Sequence, residues 1–195
     1  AEKCSAGARL PVQWVSRPHA DFRGFAGTVA AAPLAVGQAV VIEPDGGQTR
    51  IAEISTADGV LDIAYPGQAV TVTLADAVDV SRGDVIRDAG SVMQTSDQVQ
   101  AHLIWMAGED MFPGRQYMIK LAAATAQAWV SDLKYKINVN TLEHVATKSL
   151  QLNDVAVCNL SFDRRIACEA YAACKETGAF ILIDRFSNET VGAGM

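Results

Sequence analysis

The residues able to do chemistry in this 195-residue sequence are few and scattered. The three histidines, His19, His102 and His144, fall in different predicted elements, so no pair has the spacing of a helical zinc site. Cys168 and Cys174 are spaced C-x5-C, which is not a zinc spacing, and Cys4 and Cys158 stand apart. We read all four as unpaired thiols in a reducing cytoplasm, because a chain this large and apolar needs no disulfide staples. The dipeptide Gly-Lys never occurs, which removes the loop whose backbone N–H groups cradle nucleotide phosphates. G-x-G-x-x-G, G-x-S-x-G and H-E-x-x-H are missing too. Residue types and spacing therefore assign no catalytic, cofactor-binding or metal-binding residue to this chain.

Some features look chemical and have plainer readings. Asp21-Phe22-Arg23-Gly24 fits the loose D-x-x-G of nucleotide switches, but without a phosphate loop it reads as the start of a strand, with Gly24 allowing close backbone approach. Arg164-Arg165 reads as a solvated pair at a strand end. Trp14, Trp105 and Trp129 lie in or beside predicted strands and are expected in barrel packing. The best contact surface is the loop that mixes charge, rings and proline, with Arg17, His19, Asp21, Phe22 and Arg23 as candidate partner-contact residues.

The elements that position these residues are strands. Half the residues are hydrophobic and 19% are charged, so a core can be buried. Runs rich in Val, Ile and Thr recur about every ten residues between turn signals such as Pro44-Asp45-Gly46-Gly47. In the first half, strands are expected near Val12–Arg17, Arg23–Ala30, Ala39–Glu43, Thr49–Ser55, Ala69–Leu74 and Asp84–Arg87. In the second half they are expected near Gln100–Met106, Gln116–Leu121, Ala128–Ile137, Val155–Phe162, Ala179–Phe186 and Thr190–Met195. Between them, Asp88 to Gln98 is polar and reads as a linker or inter-barrel crossing. The alanine string Ala122–Ala126 is too short to nucleate a helix, and Glu169–Lys175 could form one or two turns stopped by Gly178. The reading is an all-β fold of two tandem barrels, residues 1–92 and 93–195. No run approaches the roughly 20 apolar residues of a membrane span. The net charge is −6, with 16 basic against 22 acidic residues, which opposes nucleic-acid holding as the main task.

Several segments are familiar. Phe25–Val29, Leu34–Val40, Pro66–Val70 and Ser81–Asp84 resemble the second domain of elongation-factor-Tu-like GTPases, a Greek-key barrel of the translation-factor type. Leu10–Val15 with Arg17-Pro18, Asp21–Gly24, Ala101–Met106, Pro113–Tyr117, Val139–Glu143, Thr177–Arg185 and Asn188–Met195 resemble the large, GTP-binding subunit of bacterial sulfate adenylyltransferase. That resemblance implies the second and third domains of a longer GTPase chain, whose nucleotide motifs, with GTP and Mg, belong to a domain before Ala1. It implies a parent enzyme that drives synthesis of adenylyl sulfate from ATP and sulfate by GTP hydrolysis, in sulfate assimilation. The partners it implies are the catalytic small subunit, the chain's own N-terminal GTPase domain and, in some relatives, a C-terminal adenylyl-sulfate kinase domain. No catalytic or nucleotide residue of the family maps onto these positions, so this part alone is expected to be inactive, with no cofactor of its own. The alternative reading is a pair of tRNA-binding barrels from a translation-type GTPase, which the acidity opposes.

Overall fold

Alternation in Val70-Thr71-Val72-Thr73 puts both valines inside and both threonines at the rim of a sheet, and period-two patterning of this kind sets most of the elements. The computed structural model describes residues 7–19 and 22–195. Asp21 and Cys4 lie outside the described residues.

By internal packing the chain forms two compact units. The first takes the residues through 95 together with 122–124 and 166–177. The second takes 96–121, 125–165 and 178–195. In chain order the strands of the first half are β1 Arg9–Ser16, β2 Gly24–Thr28, β3 Leu34–Ala35, β4 Ala39–Glu43, β5 Gly47–Thr56, β6 Gly59–Leu61, β7 Ile63–Ala64, β8 Ala69–Leu74 and β9 Val85–Asp88. Then follow β10 Gln94–Trp105, β11 Gln116–Leu121, β12 Ala124–Ile137, β13 His144–Val145, β14 Val155–Cys168, the short helix α1 Lys175–Gly178, β15 Phe180–Ile183 and β16 Thr190–Gly194.

Both units are closed barrels of six antiparallel strands. The first runs β4-β9-β1-β2-β8-β5 and closes through β4–β5, with β6 added beside β5. The second runs β11-β15-β16-β10-β14-β12 and closes through β11–β12, with β13 added beside β12. Closure satisfies edge N–H and C=O groups that an open sheet would expose. The first core gathers Leu10, Val12, Phe25, Ile42, Ile54 and Val72. Inside the second, Leu103, Trp105, Tyr117, Ile119, Val130 and Leu160 are all buried.

Glycines act where backbones crowd. A Cβ at Gly27 would collide with the Pro11 carbonyl on the neighbouring strand, so only glycine lets β1 and β2 pair as they do. Gly37, Gly67 and Gly83, in the segments that resemble the translation factors, all take positive φ at tight turns.

The all-β expectation and the tandem barrels hold, and three local expectations are corrected. The polar stretch before Gln98 is not all linker: β10 starts at Gln94, because backbone pairing holds a strand whose polar side chains point to solvent. As expected, the alanine string forms no helix: it is a turn at Ala122 (φ 49°) followed by β12, where Ala124, Ala126 and Ala128 face inward. Tertiary placement overrides helix propensity there. The helical turn sits at Lys175–Gly178 rather than from Glu169, because β14 runs on to Cys168 and the Glu169 N–H donates to the Thr177 carbonyl. Trp14 is 64% exposed instead of packed, whereas Trp105 is buried.

Glu169 is engaged by Arg9, whose side chain is fully buried within the first unit. Its Nη2 and Nε donate to the two carboxylate oxygens of Glu169 at 2.8 and 3.1 Å. Nη1 donates to Ser91 Oγ at 2.6 Å, and Nη2 also reaches the Val92 carbonyl. The Thr177 hydroxyl donates to Glu169 Oε2 at 2.7 Å. Removing one partner leaves a buried charge with nothing to balance it. Glu169→Ala is expected to lower unfolding free energy by about 3 kcal/mol, and Arg9→Met with Glu169→Leu together by markedly less. Equilibrium urea denaturation of the three proteins checks this.

Candidate functional site

The first unit places part of the loop expected to make contacts beside a groove of about 520 Å3, lined by Arg17, Phe22, Arg23, Phe25, Glu53 and Asp76 among others. Arg17, Phe22 and Arg23 are thus brought together. His19 is exposed and off the groove, its ring 5.9 Å from that of Phe22. Arg23 is largely occupied by the fold: its guanidinium donates to the Val78 and Val80 carbonyls, both at 3.0 Å, and lies 5.3 Å from the Phe25 ring centre. It therefore pins the loop at 78–80 to the barrel. Arg17 is exposed and makes no hydrogen bond or ion pair with a described residue, so its charge is available to a partner. Gly24 opens β2 against Thr71, as expected for a strand start.

A larger cleft of about 760 Å3 lies within the second unit, and reasoning from residue types missed it. Trp105 forms part of its wall, with its indole N–H donating to the Glu109 carbonyl at 2.7 Å and its ring 5.6 Å from Tyr117, edge to face. Arg115 spans two carboxylates, Asp184 at 2.7 Å and Glu109 at 3.4 Å, and sits 5.7 Å from the Tyr117 ring centre. The hydrogen bond to Glu109 holds the Arg115 pKa above its ordinary value. Burial pushes the Tyr117 phenol up, and its hydroxyl has no hydrogen-bond partner. Asp184 Oδ1 accepts from the backbone N–H groups of Phe186 at 2.8 Å and Ser187 at 3.0 Å, an Asx turn. The Ser187 and Phe186 amides, with Arg115, hold the Asp184 carboxyl below its ordinary value.

The signal that could have found this cleft was in the family-like segments. Ala101–Met106, Pro113–Tyr117, Thr177–Arg185 and Asn188–Met195 are far apart in sequence, yet each contributes residues to its lining. Other candidates stay apart. His144 stacks on Tyr135 at 3.8 Å, and His102 is exposed on β10. Among the described residues no group of three His, Cys, Asp or Glu is placed to hold a metal ion. Cys158, Cys168 and Cys174 are buried and unpaired, and burial pushes the Cys158 thiol up to about 12. Arg164 donates to the Thr125 carbonyl at 2.8 Å. No helix among the described residues is long and apolar enough to cross a membrane.

Two closed six-stranded barrels define the class of fold, and comparison with known proteins supplies the family. The chain belongs to the GTP-eEF1A C-terminal domain-like family, which it matches over residues 98–195. Over 187 residues it is 46% identical to sulfate adenylyltransferase subunit 1 of Saccharophagus degradans, covering 96% of this chain and 40% of that protein. It is 48% identical over 187 residues to the bifunctional enzyme NodQ of Azospirillum brasilense, covering 96% of this chain and 30% of that one. To the bifunctional enzyme CysN/CysC of Xylella fastidiosa it is 46% identical over 190 residues, covering 97% and 30%. The chain thus spans about two fifths of the length of the subunit 1 relatives. Among solved structures, Sup35 complexed with GDP superposes with a TM-score of 0.86 at 16% identity, covering 98% of this chain and 47% of that one, which establishes the fold alone.

Because the Asp184 pKa is lowered in the folded state, its contribution to stability is present above the ordinary carboxylate pKa of about 4. That contribution is lost as pH falls through the lower folded value. The Phe186 and Ser187 amide resonances are expected to move together below about pH 4, and Asp184→Asn to abolish that joint transition. A pH titration followed by NMR reads this directly.

Proposed function

We propose that this chain is the pair of β-barrels that follows the GTPase domain in the GTP-binding subunit of a sulfate adenylyltransferase, with no catalytic group of its own. In this reading GTP and Mg bind the preceding domain. The enzyme as a whole makes adenylyl sulfate from ATP and sulfate in the cytoplasm, and these barrels dock the catalytic subunit and relay the nucleotide state to it. One observation carries the proposal: nearly all of this chain aligns at 46% identity to two fifths of a sulfate adenylyltransferase subunit 1. The name of that relative, subunit 1, supports a second subunit as partner, and the bifunctional CysN/CysC relative supports a C-terminal adenylyl-sulfate kinase domain in some parents.

The physical argument concerns stiffness. A closed barrel moves as one body, so a switch in an attached GTPase domain can reposition its loops with little internal loss. A catalytic subunit with different contacts in the two positions would then sense the bound nucleotide. Within the contact loop, Arg17, His19, Asp21, Phe22 and Arg23 are the proposed docking residues. Arg17 is the best probe, since Arg23 also holds the loop at 78–80.

The test uses the full-length GTP-binding subunit and its catalytic subunit. Arg17→Glu is expected to weaken association about tenfold while leaving the melting temperature unchanged, as read by sedimentation and calorimetry. The 195-residue chain alone is expected to show no saturable GTP binding, and micromolar GTP affinity in it would overturn the non-catalytic reading.

A further inference from the structure

The cleft around Arg115 and Tyr117 holds features that docking through the Arg17 groove leaves unused. Its charged lining is three carboxylates, Glu109, Asp184 and Glu189, against one guanidinium. Arg115 is already shared between Glu109 and Asp184, and Glu189 has no ion-pair partner among the described residues. The lining therefore carries net negative charge. Tyr117 adds a second, independent sign: it is fully buried, lines the cleft, and its hydroxyl lacks any partner. The Tyr117 ring lies 5.7 Å from the Arg115 guanidinium on the same lining. A buried hydroxyl left unpaired costs free energy that a ligand donor would recover.

The rim supplies a third sign. Phe186 is 91% exposed, at the tip of a turn held from both ends. Asp184 Oδ1 takes the Phe186 and Ser187 N–H groups, the Asn188 N–H donates to the Asp184 carbonyl at 3.0 Å, and the Asp184 N–H donates to the Glu189 carbonyl at 2.9 Å. An aromatic ring held in water on a rigid turn has the anatomy of an interface anchor. The backbone that carries the ring is ordered before any partner arrives.

We propose that this cleft docks a protein segment presenting an arginine or lysine side chain next to an apolar residue. The cationic head pairs with Glu189, lies against the Phe186 ring, and brings the Tyr117 oxygen the donor it lacks. The apolar neighbour covers Met106 and Val191 on the same lining. This inference concerns the second unit alone and stands apart from the Arg17 groove and from sulfate chemistry.

The test titrates the isotope-labelled protein with the peptide acetyl-Gly-Arg-Phe-Gly-amide and with the same peptide carrying uncharged citrulline for arginine. The arginine peptide is expected to shift the Trp105 indole N–H and the Phe186 and Glu189 amides saturably, and the citrulline peptide to bind at least about tenfold more weakly. Glu189→Gln is expected to weaken the arginine peptide about threefold. Tyr117→Phe is expected to weaken it without lowering the melting temperature, since the deleted hydroxyl has no partner in the unbound protein. Equal binding of the two peptides, shifts confined to residues outside the cleft, or no shift at about 10 mM peptide would each overturn the proposal.

Discussion

The buried guanidinium of Arg9 sets the terms for the first barrel. A guanidinium cannot shed its charge, so burying it obliges the fold to match every donor. The match is complete: the carbonyls of Gly7, Ala8 and Val92, the Ser91 hydroxyl and both oxygens of Glu169 surround it. Main-chain pairing puts Arg9 there, since its N–H and C=O bond Ala30 on one side and β1 pairs with β9 on the other. A related pair stands beside it in the sheet, where Arg87 on β9 is the register partner of Arg9 on β1. Arg87 donates to Glu43 at 2.9 Å and to the Ser91 carbonyl at 2.6 Å, while the Thr95 hydroxyl reaches the same Glu43 carboxylate. The polar stretch after β9 is thus held by charge-assisted bonds where it has almost no apolar surface to bury, apart from Met93 against Val85 and Ala167.

Once the barrels are closed, recognition falls to what projects from them. The strands supply fixed ends and the turns supply exposed groups, a division of labour that suits contact better than chemistry. The turn after β15 shows how. Ile183 ends a strand, Asp184 accepts two amides from the residues that follow, and the left-handed Asn188 (φ 60°) brings the chain back to β16. The turn so held carries Phe186 out into solvent, 91% exposed. Asp184 serves twice, since its other oxygen takes the Arg115 guanidinium and so ties the turn to the start of β11.

Much of this architecture is legible from local pattern, because strand period and turn chemistry act over a few residues. Val70–Leu74 and the Pro44–Gly47 turn are examples, and the closed barrels follow from many short strands separated by such turns. The longer family-like segments made the resemblance legible as well. What local pattern cannot carry is partnership across the chain. Arg9 and Glu169 are 160 residues apart, so nothing near either one marks the pair, and Glu169 looked like helix material in isolation. The cleft at Arg115 is assembled from separate strand ends, and a lone Arg115 after Pro113-Gly114 reads as a turn residue. Trp14 was misjudged for a related reason: aromatic residues in strands usually pack, and only the register of β1 against β2 shows this one facing out.

The discontinuous make-up of the first unit bears on how the protein is born. Its last component, residues 166–177, begins about seventy positions after residue 95, with most of the second barrel encoded between. At the roughly 5–20 residues per second of synthesis, Arg9 waits on the order of ten seconds for Glu169 to leave the ribosome. Throughout that interval the nascent first barrel can hold its sheet hydrogen bonds but keeps an unmatched cation at its edge. The barrel begun first therefore cannot be completed until most of the second has been made, and the second closes only with the residues 178–195 that follow.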